Sequence, residues 1–317
     1  MKPDFIVIGT QKAGTTWLYE QLNNHPEVMM PPQKEIHYFD RSLGWDTGYP
    51  SIPHQVRVRM KEKRWLRMVI IKFIHEARRG RLGNAFWYTK WHLRNHSDAW
   101  YRSLFKNRQN LVSGDISPEY VLLDEKSCSH MHSIASHAKI VLLLRNPIDR
   151  AWSMMKYENH YVTVLDLEDI EALKSFADSR HQDARSDYEK TLSVYLKFFK
   201  PEQILIGFYD AISEQPQSLM DAVTDHLGIS RHSFRNRDLD KRVNYTPALS
   251  PPSEIQEYLK EKYRPRITRH SELFGSYANH WLAQLDGNTG ENQDIPPATV
   301  RVDALENLRS PNPQERI

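Results

Sequence analysis

The feature that most constrains this chain lies within its first twenty-four residues. Asp4 to Gly9 (DFIVIG) is a short apolar, β-branched run of the kind found in a buried parallel strand. The loop Thr10 to Thr15 follows at once. Thr16 to Asn24 then sets Trp17, Leu18 and Leu22 among polar positions, as on an amphipathic helix, and His25-Pro26 ends it. Strand, glycine-containing loop and helix in that order aim backbone N–H groups and the positive end of a helix dipole at one point, which suits an anion. Gly14 lets a ligand approach the backbone closely, Thr15 and Thr16 add hydroxyl donors, and Lys12 supplies a mobile positive charge.

The spacing of Gly9 and Gly14 is that of the nucleotide-binding loop G-x-x-x-x-G-K-[ST]. Here, however, Thr15 stands where the lysine belongs, and Lys12 lies three positions earlier. The loop is therefore expected to hold a phosphate with its cation on a different side. The bland alternative is an ordinary βα turn. A second anion site is expected at Arg145, which ends the apolar run Lys139 to Leu144 (KIVLLL), with Ser153 eight positions on in the next helix. An arginine at a strand's carboxyl end faces the crevice where open α/β sheets bind ligands, and its fork suits phosphate oxygens. The competing reading pairs Arg145 with Asp149. Many nucleotide hydrolases place a metal-holding aspartate in such a region, so a cation there favours a second phosphate over a bound metal.

Further along, Asp149 to Tyr157 and Tyr188 to Phe199 read as helices, Gln203 to Phe208 (QILIGF) as a strand, and Val28 to Met30 as a second short strand. Strands alternating with helices predict an α/β fold: a P-loop-like parallel sheet flanked by helices. Residues 41–113 read as an inserted helical lid. Residues 57–108 hold 15 Lys or Arg against 3 Asp or Glu, with aromatic residues throughout. That composition predicts either a solvated helical face with an aromatic inner side or a contact with a membrane or another anionic surface. Without a nucleic-acid motif, no nucleic-acid partner is expected. One domain is expected over 1–285, with a polar, flexible tail over 286–317. The chain has 317 residues and a single cysteine, Cys128, which fits a reducing compartment. The run Phe5 to Gly9 is too short for a signal peptide, so the expected location is the cytoplasm.

Together these motifs resemble the sulfotransferases that use 3′-phosphoadenosine 5′-phosphosulfate (PAPS), in particular their bacterial and Golgi carbohydrate branches. Gln11-Lys12-Ala13-Gly14-Thr15-Thr16-Trp17-Leu18 matches the family's 5′-phosphosulfate loop almost position for position. Arg145 and Ser153 match its 3′-phosphate pair. Lys34-Glu35-Ile36-His37-Tyr38-Phe39-Asp40 is similar to the K-E-P-H-F-F-D segment, whose glutamate is the proposed base. Ser117-Pro118-Glu119-Tyr120 is similar to S/T-P-x-Y, Tyr209-Asp210 to Y-E-D, and Lys241-Arg242-Val243-Asn244 to the late loop that closes over the nucleotide. Ile36 departs from the family's proline, and Ile116 stands where glycosaminoglycan sulfotransferases place a lysine. The K-T-H segment of the cytosolic branch has no counterpart, although Trp17 is typical of that branch, where it stacks near the adenine.

The resemblance implies that the chain moves a sulfuryl group from PAPS to a hydroxyl or amine of a saccharide, lipid or metabolite. Lys12 would stabilise the leaving phosphate oxygen, and Glu35 would be the base, oriented or replaced by His37. The donor would be held by Gln11, Lys12, Ala13, Gly14, Thr15, Thr16, Trp17, Arg145, Ser153, Tyr209, Lys241 and Arg242. No metal is expected, because a sulfuryl group carries less charge than a phosphoryl group. Cys128, His130, His132 and His137 do not converge on a helix. The rival readings are a P-loop kinase or NTPase and a non-catalytic binder of an anionic polymer.

Overall fold

The computed structural model describes residues 2–40, 63–105, 111–162, 165–233, 249–287 and 294–302. Five strands form one sheet in the order β2-β1-β3-β4-β5: β1 Phe5–Gly9, β2 Gly114–Ile116, β3 Lys139–Leu144, β4 Ile204–Phe208 and β5 Thr299–Arg301. The first four run parallel, and β5 is antiparallel to β4. The apolar runs of β1 and β4 are buried along their whole length, as parallel strands covered on both faces should be. The helices are α1 Thr15–Asn23, α2 Lys63–Arg78, α3 Leu82–Leu93, α4 Asp98–Ser103, α5 Glu125–Ala135, α6 Pro147–Tyr157, α7 Ile170–Asp178, α8 Tyr188–Tyr195, α9 Pro216–Leu227, α10 Ser253–Phe274 and α11 Tyr277–Leu285, with shorter turns between them.

The order of the sheet decides where a ligand can sit. From β1 the chain passes to β2 on one side, then crosses to β3 on the other. The loops after β1 and β3 therefore diverge, opening a crevice at the carboxyl edge of the sheet. The start of α6 is well defined: Pro147 occupies the first turn, where its missing N–H costs nothing, and Asn146 Oδ1 accepts from Ile148 N at 3.0 Å. Farther along α6, the fully buried Arg150 donates from Nε to Ser186 Oγ and from Nη2 to Gln182 O, each at 2.8 Å. A buried Glu119–Arg185 pair at 3.0 Å lies under the loop after β1, and the Arg185 carbonyl accepts from Thr10 Oγ1 at 3.0 Å.

Three expectations change. The expected tail from residue 286 is not wholly loose, because Thr299–Arg301 pairs with β4 and Ala298 and Val302 are buried. A polar stretch gives no apolar period, so its edge pairing was invisible in sequence. Val28 makes only an isolated bridge to Val112 rather than a strand. The helix expected to run to Phe199 ends as α8 at Tyr195. Within the expected insertion, the described helices are α2, α3 and α4, and Trp87, Trp91, Trp100 and Phe105 join the main core.

Candidate active site

All four parallel strands deliver residues to the carboxyl edge. After β1 comes the loop carrying Gln11 to Thr15. Gly14 caps α1 in the left-handed region, at φ 84°. A Cβ built there would meet Ile212 Cδ1 at 2.2 Å and Tyr209 Cδ2 at 3.3 Å, so the conformation favours glycine and any side chain would displace Ile212. Lys12 also has positive φ, 68°, and its ammonium lies 4.3 Å from the centroid of the Tyr157 ring. Burial, then the positive charges of Arg145, Lys34 and Lys156, bring its pKa down to about 8, opposed by Glu158.

After β3 comes Arg145. It makes no ion pair with Asp149. Its Nη1 donates to the Lys12 carbonyl at 2.8 Å, and its guanidinium lies 4.1 Å from the centroid of the Tyr209 ring, which follows β4. The Tyr188 hydroxyl donates to the Arg145 carbonyl at 2.7 Å and holds the strand end. The two anion sites expected from sequence are thus one cradle, tied together by the Lys12–Arg145 hydrogen bond, with the Tyr209 ring against Arg145. Two of its polar atoms, Gln11 Oε1 and Arg145 Nε, are buried without a hydrogen-bond partner. An orphaned guanidinium N–H is costly, and a ligand anion would satisfy it.

The other expected donor residues are less exposed to the crevice. Ala13, Thr15 and Trp17 are buried, and Trp17 belongs to the main core. Thr16 is partly buried at the start of α1. Ser153 is buried on α6 and is not hydrogen-bonded to Arg145. Lys241 and Arg242 lie outside the described residues.

Facing the cradle is the segment Gln33 to Asp40. The Ser117 hydroxyl accepts from Ile36 N at 2.9 Å, the Tyr120 hydroxyl accepts from Tyr38 N at 3.0 Å, and Glu35 N donates to Ile116 O at 3.0 Å. Behind them, the buried Asp115 accepts from Ser117 Oγ at 2.8 Å, Tyr120 Oη at 2.9 Å and Tyr101 Oη at 3.0 Å. Burial pushes the Asp115 carboxyl up to about 6, against the pull of these three donors. The segment is not an extended strand. Glu35 and His37 both take positive φ, 65° and 51°, and so meet by a different route from simple alternation. Of four non-glycine residues with positive φ among the described residues, three are Lys12, Glu35 and His37. Such strain gathers where function needs it.

The side chains form a row of alternating charge. Lys34 Nζ bonds Glu35 Oε1, Glu35 Oε2 lies 3.6 Å from His37 Nε2, and His37 Nδ1 lies 2.5 Å from Asp40 Oδ2. Burial raises the Glu35 pKa, but the adjacent His37 cation and the charge and hydrogen bond of Lys34 outweigh it and hold Glu35 at about 2. Burial lowers the His37 pKa, but Asp40 and Glu35 outweigh it and bring His37 up to about 10. At neutral pH Glu35 is therefore an anion and His37 a cation.

Sequence reasoning missed Asp40, Asp115, Lys156 and Tyr157 as parts of the site. Asp40 closes a segment already singled out. Tyr157 lies four positions, one helical turn, beyond Ser153, which was the only available sign. The residues Cys128, His130 and His132 do not converge: Cys128 is buried, His130 bonds Asp98 at 2.9 Å, and His132 meets the Phe199 ring edge-on.

A family model described as a sulfotransferase domain matches residues 2–284. The chain belongs to the sulfotransferase family. Among curated relatives, carbohydrate sulfotransferase 15 of Mus musculus is 25% identical over 298 residues, covering 85% of this chain and 48% of that one. Bifunctional heparan sulfate N-deacetylase/N-sulfotransferase 3 of Homo sapiens is 24% identical over 278 residues, covering 78% of this chain and 24% of the relative. The chain thus spans about half the length, or less, of these relatives. In fold it is similar to a sulfotransferase from Alicyclobacillus acidocaldarius, with a TM-score of 0.55 at 21% identity over 86% of this chain and 96% of that one.

Proposed function

We propose that this sulfotransferase chain moves a sulfuryl group from PAPS to a hydroxyl or amine of an acceptor. The observation that carries the reading is the cradle at the carboxyl edge. Lys12 and Arg145 are joined there at 2.8 Å, with the Glu35–His37 pair on the facing segment. The donor supplies an activated sulfuryl group on a phosphate leaving group. The loop Gln11 to Thr16 would hold its 5′ end by backbone N–H groups and hydroxyls. Arg145, with Ser153, would hold the 3′-phosphate, Tyr209 would brace Arg145, and Lys241 and Arg242 would belong to the closing loop.

Lys12 would donate to the leaving oxygen. Its lowered pKa reflects burial first and crowding by other cations second, and an incoming anion offsets both. Glu35 is the better base because it is ionised, whereas His37 is protonated and can only donate. A carboxylate held at about 2 is a weak base, so it must gain basicity when its partners Lys34 or His37 turn to other groups. His37, fixed by Asp40, orients Glu35. No step in this scheme calls on a metal. The names of the curated relatives favour a saccharide among the acceptor classes, and the single cysteine favours a cytoplasmic setting.

A kinase or NTPase reading fits less well, because Lys12 is displaced from the P-loop position and Arg145 ends β3. The test is calorimetric titration with adenosine 3′,5′-bisphosphate, followed by transfer of labelled sulfate from PAPS into a cell extract with mass identification of the product. Tight binding that Lys12→Ala and Arg145→Ala each weaken supports the reading. Magnesium-dependent ATP turnover without bisphosphate binding would replace it.

A further inference from the structure

Most helices here bury their apolar row. α10 is typical, with Ile255, Leu259, Tyr263 and Ile267 all inward. α2 does the reverse. Val69 is buried and Phe73 partly so, while Leu66, Ile70, Ile71 and Ile74 are each at least 43% exposed. α3 adds Phe86 at 64%, whose ring lies against Phe73 at 6.1 Å, and Leu82 at 55%. Of the twelve exposed large apolar side chains among the described residues, eight fall between Leu66 and Leu93. The stretch 63–94 holds nine Lys or Arg and one acidic residue, Glu76. Arg67, Arg78 and Arg79 are exposed and make no ion pair with any described residue. Glu76 is already engaged by Asn84 and His75, each at 3.2 Å.

An exposed apolar row flanked by unpaired arginines is the signature of a helix that lies in a lipid headgroup layer. No described helix is long and apolar enough to cross a membrane. A second copy of this chain fits poorly, because a two-fold interface would set the same arginines against each other. Nucleic acid would match the charge but not the isoleucines. We propose that the α2–α3 face docks on an anionic lipid bilayer.

The inward side of the same helix pair packs on the acceptor side of the site. Lys72 of α2 donates to Gln33 Oε1 at 3.3 Å, and Tyr88 of α3 donates to the Pro32 carbonyl at 3.0 Å, within three residues of Glu35. Docking therefore sets the base segment one helix layer from the bilayer, held by the inward faces of α2 and α3. If the sulfotransferase reading holds, the acceptor is the headgroup of a membrane-borne amphiphile.

The test is co-sedimentation of the full chain with vesicles of equal phosphatidylcholine and phosphatidylglycerol, and with phosphatidylcholine alone, at physiological salt. The chain should pellet with the anionic vesicles only. Ile70→Asp/Ile74→Asp should lose at least about tenfold in vesicle affinity, and Arg78→Ala/Arg79→Ala about 25-fold, from roughly fivefold for each basic residue near an anionic surface. Both pairs are exposed and none of the four is a cradle residue, so affinity for adenosine 3′,5′-bisphosphate should stay unchanged, which also reports folding. Wild-type chain left in the supernatant, or variants that pellet as well as wild type, would overturn the proposal. So would a solution dimer that Ile70→Asp/Ile74→Asp turns into a monomer. Wild-type chain that pellets but binds no bisphosphate would remove the enzymatic reading and leave the docking intact.

Discussion

The two walls of the crevice handle charge in opposite ways. On the donor wall, Lys12 and Arg145 crowd together, and the groups packed against their charges are rings and a backbone carbonyl. On the acceptor wall, Lys34, Glu35, His37 and Asp40 alternate in sign and satisfy one another. The donor wall is thus unfavourable until an anion arrives, and binding energy is available there. The acceptor wall is already neutralised, and what it offers is position. Substitutions on the first should therefore damage affinity, and substitutions on the second should damage turnover.

The largest effect should come from Lys12→Ala. Affinity for adenosine 3′,5′-bisphosphate is expected to fall about 100-fold or more by calorimetry, since a charge-assisted contact in a partly desolvated site is lost. The melting temperature should hold or rise, because the substitution also removes a cation crowded by others. A fall in melting temperature with intact affinity would break the contrast between the walls.

Glu35→Gln comes next. Removing a general base that starts as a weak one should lower kcat by about 100-fold, the low end of such effects, while bisphosphate affinity stays within about twofold. Equal loss of both would place Glu35 on the donor wall instead.

Asp115→Asn should be milder. It replaces an acceptor for three hydroxyls with a group that cannot accept from all of them, at a cost of about 1–3 kcal/mol in stability. The loosened segment should lower kcat and leave donor affinity unchanged.

The smallest effect is in the pH profile. kcat/KM should fall as pH rises through about 8, where Lys12 of the free enzyme loses its proton. The kcat profile should fall at higher pH, because bound phosphate raises the lysine pKa. On the acid side of the kcat/KM profile, Glu35 of the free enzyme, at about 2, stays ionised, so no limb is expected there above about pH 4. Lys34→Met should move that limb upward by removing one of the two partners that hold Glu35 down.

The donor wall was largely legible in sequence because it is made of local units. β1 with its loop and α1, and β3 with Arg145, each declare themselves through an apolar run that ends at a cation or a glycine. The acceptor wall was legible only by resemblance. The pairing of Glu35 with His37 was expected from alternation along a strand, but left-handed φ values at both residues bring them together instead. Backbone conformation of that kind is imposed by Ser117, Tyr120 and Asp115, which lie about eighty residues away in the chain.

Local chemistry along the chain determined that there would be a parallel sheet, an anion-binding loop at Lys12 and a cation at the end of β3. Those features depend on neighbours within a few positions, whose side chains set period, turn and cap. The tertiary structure alone decided that Lys12 and Arg145 are joined by a hydrogen bond in one cradle, that Tyr157 packs on Lys12, and that α2 turns its apolar row outward. Each of these depends on which strands lie side by side and which helix faces find a partner. Burial and long-range pairing settle those questions, and no local spacing records them.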